Sequence, residues 1–218
     1  MDTVIMCGQP TVRPCIAPIQ FLCHDYGPVT LPNLDIDGGT VLFFEKNCQR
    51  YLITAQHVWE GIIALSEKNA GRRQGAFVYA GKFLPLKKDE VTVKDDRLDV
   101  IVMKPDWLSA GIDGYDFYSG DTATVSAGDA VTTWGYPGAK RTRLSDKVAC
   151  RMEQISGEAT APFENCFKFA NSPTYDLGGF SGAPVFRADN KLVGLVSEAS
   201  SALGIVVCHT LLSVIDQL

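Results

Sequence analysis

The sequence predicts an all-β protein built in two halves and ending in a short α-helix. Three observations carry that expectation. Short runs rich in Val, Ile, Phe and Tyr recur along the chain, as half-buried strands require. Turn residues separate them at intervals of about 8 to 15 residues. Sustained helical spacing occurs only at the end, where Leu211, Leu212, Ile215 and Leu218 share one face of H-T-L-L-S-V-I-D-Q-L.

Taken in order, residues 1–35 carry Pro10, Pro14, Pro18, Gly27, Pro28 and Pro32 and read as an arm wrapping a scaffold. Residues 36–105 hold the runs G-G-T-V-L-F-F-E-K, Q-R-Y-L-I-T-A-Q-H-V, G-A-F-V-Y-A-G, E-V-T-V-K-D and L-D-V-I-V-M-K, a first group of strands. Residues 106–121 lack any alternation and suit a crossing between halves. Residues 122–208 supply the second group, A-V-T-T-W-G-Y-P, K-V-A-C-R-M-E-Q-I, C-F-K-F-A-N, A-P-V-F-R-A and K-L-V-G-L-V-S-E-A, and residues 209–218 the closing helix.

Bulk properties narrow the function. A chain of 218 residues, 46% apolar and 21% charged, is long enough to bury a substantial core without disulfides or metals. Its net charge of −5, with basic residues only in short clusters such as Arg72-Arg73 and Lys87-Lys88, argues against nucleic-acid binding. No run approaches the ~20 apolar residues needed to cross a bilayer, and the N-terminus lacks the basic and apolar regions of a signal peptide. Seven cysteines without a C-x-x-C pair or zinc-type spacing suit a reducing compartment. The expectation is a cytoplasmic protein without metal or cofactor, with no membrane contact; dinucleotide and phosphate-loop fingerprints are absent.

The chemistry concentrates in D-L-G-G-F-S-G-A-P-V-F, residues 176–186. Ser181 sits among Gly178, Gly179 and Gly182, where the backbone bends freely and another molecule can approach the main chain. A Gly-rich turn before a strand would account for this stretch alone. A Ser nucleophile also needs a base and an acid to orient that base. Among three histidines, His24 falls in the arm and His209 in the terminal segment. His57 ends a strongly β-forming run, at the rim of a sheet, where an imidazole is both held and reachable. Asp99 abuts the apolar run V-I-V-M, where a charge is costly unless hydrogen-bonded, and an imidazole N–H is a suitable partner. Asp95 and Asp96 read as a solvated turn. The Gly179 and Ser181 amides are natural donors to a developing oxyanion.

T-A-Q-H-V, L-D-V-I-V-M and G-G-F-S-G-A-P-V-F resemble the His, Asp and Ser boxes of chymotrypsin-like serine proteases, in the same chain order. The resemblance covers about residues 36 to 218. More closely, Y-L-I-T-A-Q-H-V, R-L-D-V-I-V-M-K and W-G-Y-P-G-A-K-R-T-R look like stand-alone bacterial trypsin-like peptidases, and proteases of plus-strand RNA viruses share similar boxes. It implies two antiparallel six-stranded β-barrels with the site between them. It also implies a cofactor-free endopeptidase in which Ser181 attacks, His57 moves the proton and Asp99 fixes the His tautomer. V-S-E-A-S would pair with the substrate main chain, placing Ser197 and Ala199 on the substrate edge. Tyr175, Asp176, Ala199 and Val206 would flank the specificity pocket. Asp176 there either favours a basic residue or points to water.

Two departures qualify the resemblance. Phe180 stands where digestive members carry an Asp that receives a newly cut N-terminus, which implies activity without such processing. Val58 replaces the cysteine that secreted members place beside the His, in keeping with reduced thiols. Protein or peptide substrates follow: a polyprotein if the source is viral, a single regulated partner if bacterial. Two other readings remain, a protease-fold module that binds peptides without cutting them, and an esterase. The esterase reading is disfavoured because Ser181 precedes a strand rather than a helix.

Overall fold

The computed structural model describes residues 15–23, 38–68, 74–80, 83–137, 141–144, 147–150, 152–170, 177–200 and 202–218. In its first half are strands β1 (Ile16–Cys23), β2 (Gly38–Lys46) and β3 (Gln49–Ala55), helix α1 (Gln56–Lys68), and strands β4 (Gln74–Tyr79), β5 (Phe83–Leu86), β6 (Val91–Asp95) and β7 (Val100–Met103). The second half holds β8 (Ala130–Gly135), β9 (Arg141–Leu144), β10 (Lys147–Cys150), β11 (Glu153–Glu158), β12 (Cys166–Ala170), β13 (Pro184–Arg187), β14 (Leu192–Ser200), β15 (Ile205–Thr210) and helix α2 (Leu212–Ile215). The strands form a seven-stranded sheet, β5-β4-β1-β2-β3-β7-β6, and a six-stranded sheet, β11-β8-β13-β14-β15-β12, with β9 and β10 as a separate hairpin. Every strand pair in them is antiparallel, giving the two curled half-barrels of a chymotrypsin-like fold.

Local chemistry explains the joins. The β2–β3 hairpin turns on Asn47 and Cys48, both at positive φ (53° and 60°), the pairing that a tight two-residue hairpin requires. Residues 16–23, inside the stretch expected to be an arm, form a strand between β2 and β4, because Ile16, Ala17 and Ile19 are fully buried. Pro18 is tolerated there: β4 pairs with β1 only from Ile19 onward, so no partner on that side needs its missing N–H.

The expected short C-terminal helix is present, and a second helix joins it. A 13-residue helix, α1, begins directly after β3 and packs Val58, Trp59 and Ile62 into the first core. The β-forming run before it hides that spacing in the sequence. At the C-terminus the helix is the single turn α2, and His209 belongs to β15.

One core fills the first half and extends to Trp134, Phe186 and α2; a second, built on Phe167, Phe169, Phe180 and Val206, fills the other half. The connecting segment is pinned by Tyr118, whose backbone pairs with Phe43 and Glu45 of β2 and whose hydroxyl donates toward the Asp121 and Asn190 carbonyls. Of the cysteines expected to be reduced, Cys48, Cys166 and Cys208 are free thiols. Among the described residues no helix is long and apolar enough to cross a membrane.

Candidate functional site

His57 is the second residue of α1, where the chain leaves β3 for the helix. Asp99 faces it from the turn between β6 and β7. That turn is shaped by Asp95, whose carboxylate accepts from the Arg97 and Leu98 amides, both at 3.0 Å. Asp99 then takes a left-handed conformation, φ 51°, which Asp tolerates better than most residues. Asp95 and Asp96 lie at a largely exposed turn, as expected, and Asp96 also accepts from the Gln56 side-chain amide at 2.5 Å. The Gln56 backbone N–H donates to the Asp99 carbonyl at 2.9 Å, tying the start of α1 to this turn.

The Asp99 carboxylate is saturated with donors. Its Oδ1 accepts from the His57 backbone N–H at 2.9 Å, and its Oδ2 lies 2.7 Å from His57 Nδ1. Ser197 Oγ also donates to Oδ2, at 2.7 Å. Burial works against the charge, yet the bonds from the His57 ring, Ser197 and the His57 amide together outweigh it. They hold the Asp99 carboxyl below its ordinary value. The carboxylate side chain is 18% exposed and the imidazole 49%, so the pair is anchored on one side and open on the other.

Ser181 reaches this pair through Ser197. Its hydroxyl donates to the Ser197 carbonyl at 3.0 Å, while the Ser197 hydroxyl donates to Asp99. Among the described residues no hydrogen bond joins Ser181 directly to His57. Ser197 can serve both because β14 bulges there: Val196 pairs with Cys208 and Glu198 with Val207, leaving Ser197 as the extra residue. Sequence reasoning placed Ser197 on a substrate edge and missed its bond to Asp99. No local signal announces a bulge whose partner lies 98 residues away.

The other residues singled out from the sequence divide as follows. Gly179 and Ser181 lie in a turn in which Gly179 has φ 95° and Gly182 φ 84°. Ala199 is half-buried beside the second core and pairs with Val206. Val206, the partner of Ala199 in the sheet, has no exposed surface. Tyr175 and Asp176 lie outside the described residues. Phe180 is completely buried in the second core.

The profile of the trypsin-like peptidase domain matches residues 39–195, a span that contains His57, Asp99 and Ser181. The chain belongs to the trypsin-like peptidase family. No curated protein sequence matches it. Solved structures do. The active form of the Rv3671c protease from M. tuberculosis aligns with 95% of this trypsin-like peptidase chain and 81% of its own, at a TM-score of 0.58 and 17% identity. The serine endoprotease from Yersinia pestis aligns with 93% of this chain and 61% of its own, at 0.56 and 15%. The serine protease of a human pathogenic astrovirus aligns with 90% and 89%, at 0.50 and 14%. At these identities the likeness is one of fold.

Proposed function

We propose that this trypsin-like peptidase is a serine endopeptidase working through Ser181, His57 and Asp99 and an acyl-enzyme intermediate. The observation that carries the reading is the Asp99 carboxylate, bound at once by the ring and the backbone of His57 and bridged by Ser197 to the Ser181 hydroxyl. With its Nδ1–H given to Asp99, the imidazole presents Nε2 as a base.

For attack, the Ser181 hydroxyl turns from the Ser197 carbonyl toward Nε2. Ser181 Oγ bonds to the scissile carbonyl carbon, its proton passes to His57, and the carbonyl oxygen takes the negative charge. The Gly179 and Ser181 amides receive that charge. Collapse breaks the C–N bond, and the amine leaves with the proton from His57. Water then repeats the sequence on the ester, releasing the acid and restoring Ser181. Asp99 keeps its charge and stabilises the imidazolium. The substrate main chain lies along Ser197–Ala199 of β14, in the manner of an added strand.

The test is a fluorophosphonate probe followed by peptide profiling. The folded wild type becomes labelled at Ser181, Ser181→Ala does not, and a peptide mixture is cut only by the wild type. Labelling that persists in Ser181→Ala, or none in the folded wild type, removes the reading. One observation favours a second one, a peptide-binding module: the Ser181 hydroxyl rests on a carbonyl and not on the base. That reading requires that peptides captured by Ser181→Ala survive incubation with the wild type.

A further inference from the structure

We infer that Thr40 is a positioning residue for the reaction, locking the turn that carries Ser181 from across the seam between the two halves. This rests on the endopeptidase reading and deepens it. Thr40 lies in β2, belongs to the first half and has no exposed surface. All of its polar groups are engaged, and three of its bonds go to the second half. Its Oγ1 donates to the Gly179 carbonyl at 3.0 Å and accepts from the Tyr136 N–H at 3.0 Å. Its backbone N–H donates to the Ser181 carbonyl at 2.8 Å. Its own carbonyl accepts from Thr54 Oγ1 at 2.7 Å, which fixes Thr40 within the first half.

The consequence follows from the planarity of peptide units, in which N–H and C=O of one trans plane point in opposite directions. The plane after Gly179 is held at both ends, its C=O by Thr40 Oγ1 and its Phe180 N–H by the Leu177 carbonyl at 3.0 Å. The plane after Ser181 is also held at both ends, its C=O by the Thr40 N–H and its Gly182 N–H by the Val196 carbonyl at 2.8 Å. Between them, the Phe180 carbonyl accepts from the Ala183 N–H at 2.8 Å. The Ser181 N–H must then point the opposite way, and among the described residues no acceptor takes it. Thr40 thus pins one plane on each side of the amide proposed to receive the oxyanion.

Contact is close enough that side chains are excluded around it. A Cβ on Gly39 would stand 2.5 Å from the Ser181 carbonyl oxygen, and one on Gly182 would stand 2.2 Å from the Thr40 carbonyl oxygen. Removing the Thr40 hydroxyl leaves the Gly179 carbonyl and the buried Tyr136 N–H without this partner. The Gly179 plane is then free to rotate toward other donors, taking the Ser181 amide off its direction.

Thr40→Val keeps the shape and removes the hydroxyl; Thr40→Ser keeps the hydroxyl. The readout is phosphonylation of Ser181 by a fluorophosphonate, in which the Oγ–P bond forms, the P–F bond breaks, fluoride leaves and the hydroxyl proton passes to His57. The second-order rate constant of Thr40→Val falls at least about tenfold, the scale expected when an oxyanion donor is mispointed. Its end-point still reaches one probe per chain, and Thr40→Ser stays within about threefold of the wild type. A smaller drop for Thr40→Val, an end-point that falls in proportion to the rate, or a Thr40→Ser as slow as Thr40→Val overturns the inference alone. An unlabelled wild type overturns the endopeptidase reading beneath it. If Thr40→Val does not fold, Thr40→Ala, which removes the same hydroxyl without added bulk, is read by the same criteria.

Discussion

Ser197 Oγ donates to Asp99 Oδ2 at 2.7 Å, so a residue in a bulge of the second half holds the acid supplied by the first. Ser197→Ala takes one of three donors from a carboxylate whose side chain is only 18% exposed. The expected cost is about 1–2 kcal/mol of stability. It comes with a drop of about tenfold in kcat/KM, the equivalent of one such bond in the transition state. Chemical denaturation and peptide hydrolysis check both. Unchanged kcat/KM in a correctly folded Ser197→Ala would show that the bond does not serve His57.

The Asp99 carboxyl is held below its ordinary value of 3.8. For a carboxyl lowered by folding, the unfolded chain takes up its proton first as pH falls. Its stabilisation is therefore complete above the unfolded value and is lost as pH falls through the folded one. Asp99→Asn removes that titration while tolerating the positive φ of 51°. Urea denaturation of both proteins should show a stability gap that is full above about pH 4 and narrows below it. A gap that stays constant down to the acid limit of folding would mean that His57 and Ser197 do not favour the charged form. Activity of Asp99→Asn should fall about 10⁴-fold, since the amide no longer selects the required tautomer.

Gly182→Ala probes the closeness of the halves. The added methyl would lie 2.2 Å from both the Thr40 carbonyl oxygen and Thr54 Oγ1, on a residue at φ 84°. Neither neighbour is the end of a flexible chain, so the backbone must move. Overpacking and a left-handed alanine together should cost about 2–4 kcal/mol. Thermal unfolding measures this, and a Tm within a degree of the wild type would contradict the seam as described.

Much of this was legible in the sequence, and each exception has its own physical cause. Short runs rich in Val, Ile, Phe and Tyr located β2, β7, β8 and β13, because each is a strand bounded by turn residues. The helix α1 was not legible because Q-H-V-W-E-G-I-I-A-L-S-E-K follows β3 without a break, and the strand signal of R-Y-L-I-T-A runs into it. His57 and Asp99 could be singled out because each is a polar residue at the boundary of an apolar run. Ser197 and Thr40 could not be assigned their contacts. A Ser in a strand and a Thr after two glycines look ordinary until the fold brings Asp99 and Gly179 against them. Asp95 sits at the largely exposed turn expected for it, and its carboxylate bonds two amides of that turn, a local pattern that sequence does carry.

Phe180 occupies the position next to the nucleophile on which activation bears. It is fully buried, and a Cβ on Gly135 would meet its ring at 2.7 Å, so the residue before Ser181 anchors the turn through packing. The site normally offered to a new N-terminal ammonium in digestive relatives is here apolar and filled, and a charge placed there would be buried without a partner. Protein expressed from Met1 should therefore label with fluorophosphonate without proteolytic treatment, at a rate that limited N-terminal trimming does not raise. Phe180→Ala should lose about 3–5 kcal/mol through the cavity it leaves, while Phe180→Leu loses less because it fills part of that space. A wild type that labels only after cleavage would mean that Phe180 is displaced on activation, and that the packed turn belongs to an inactive form.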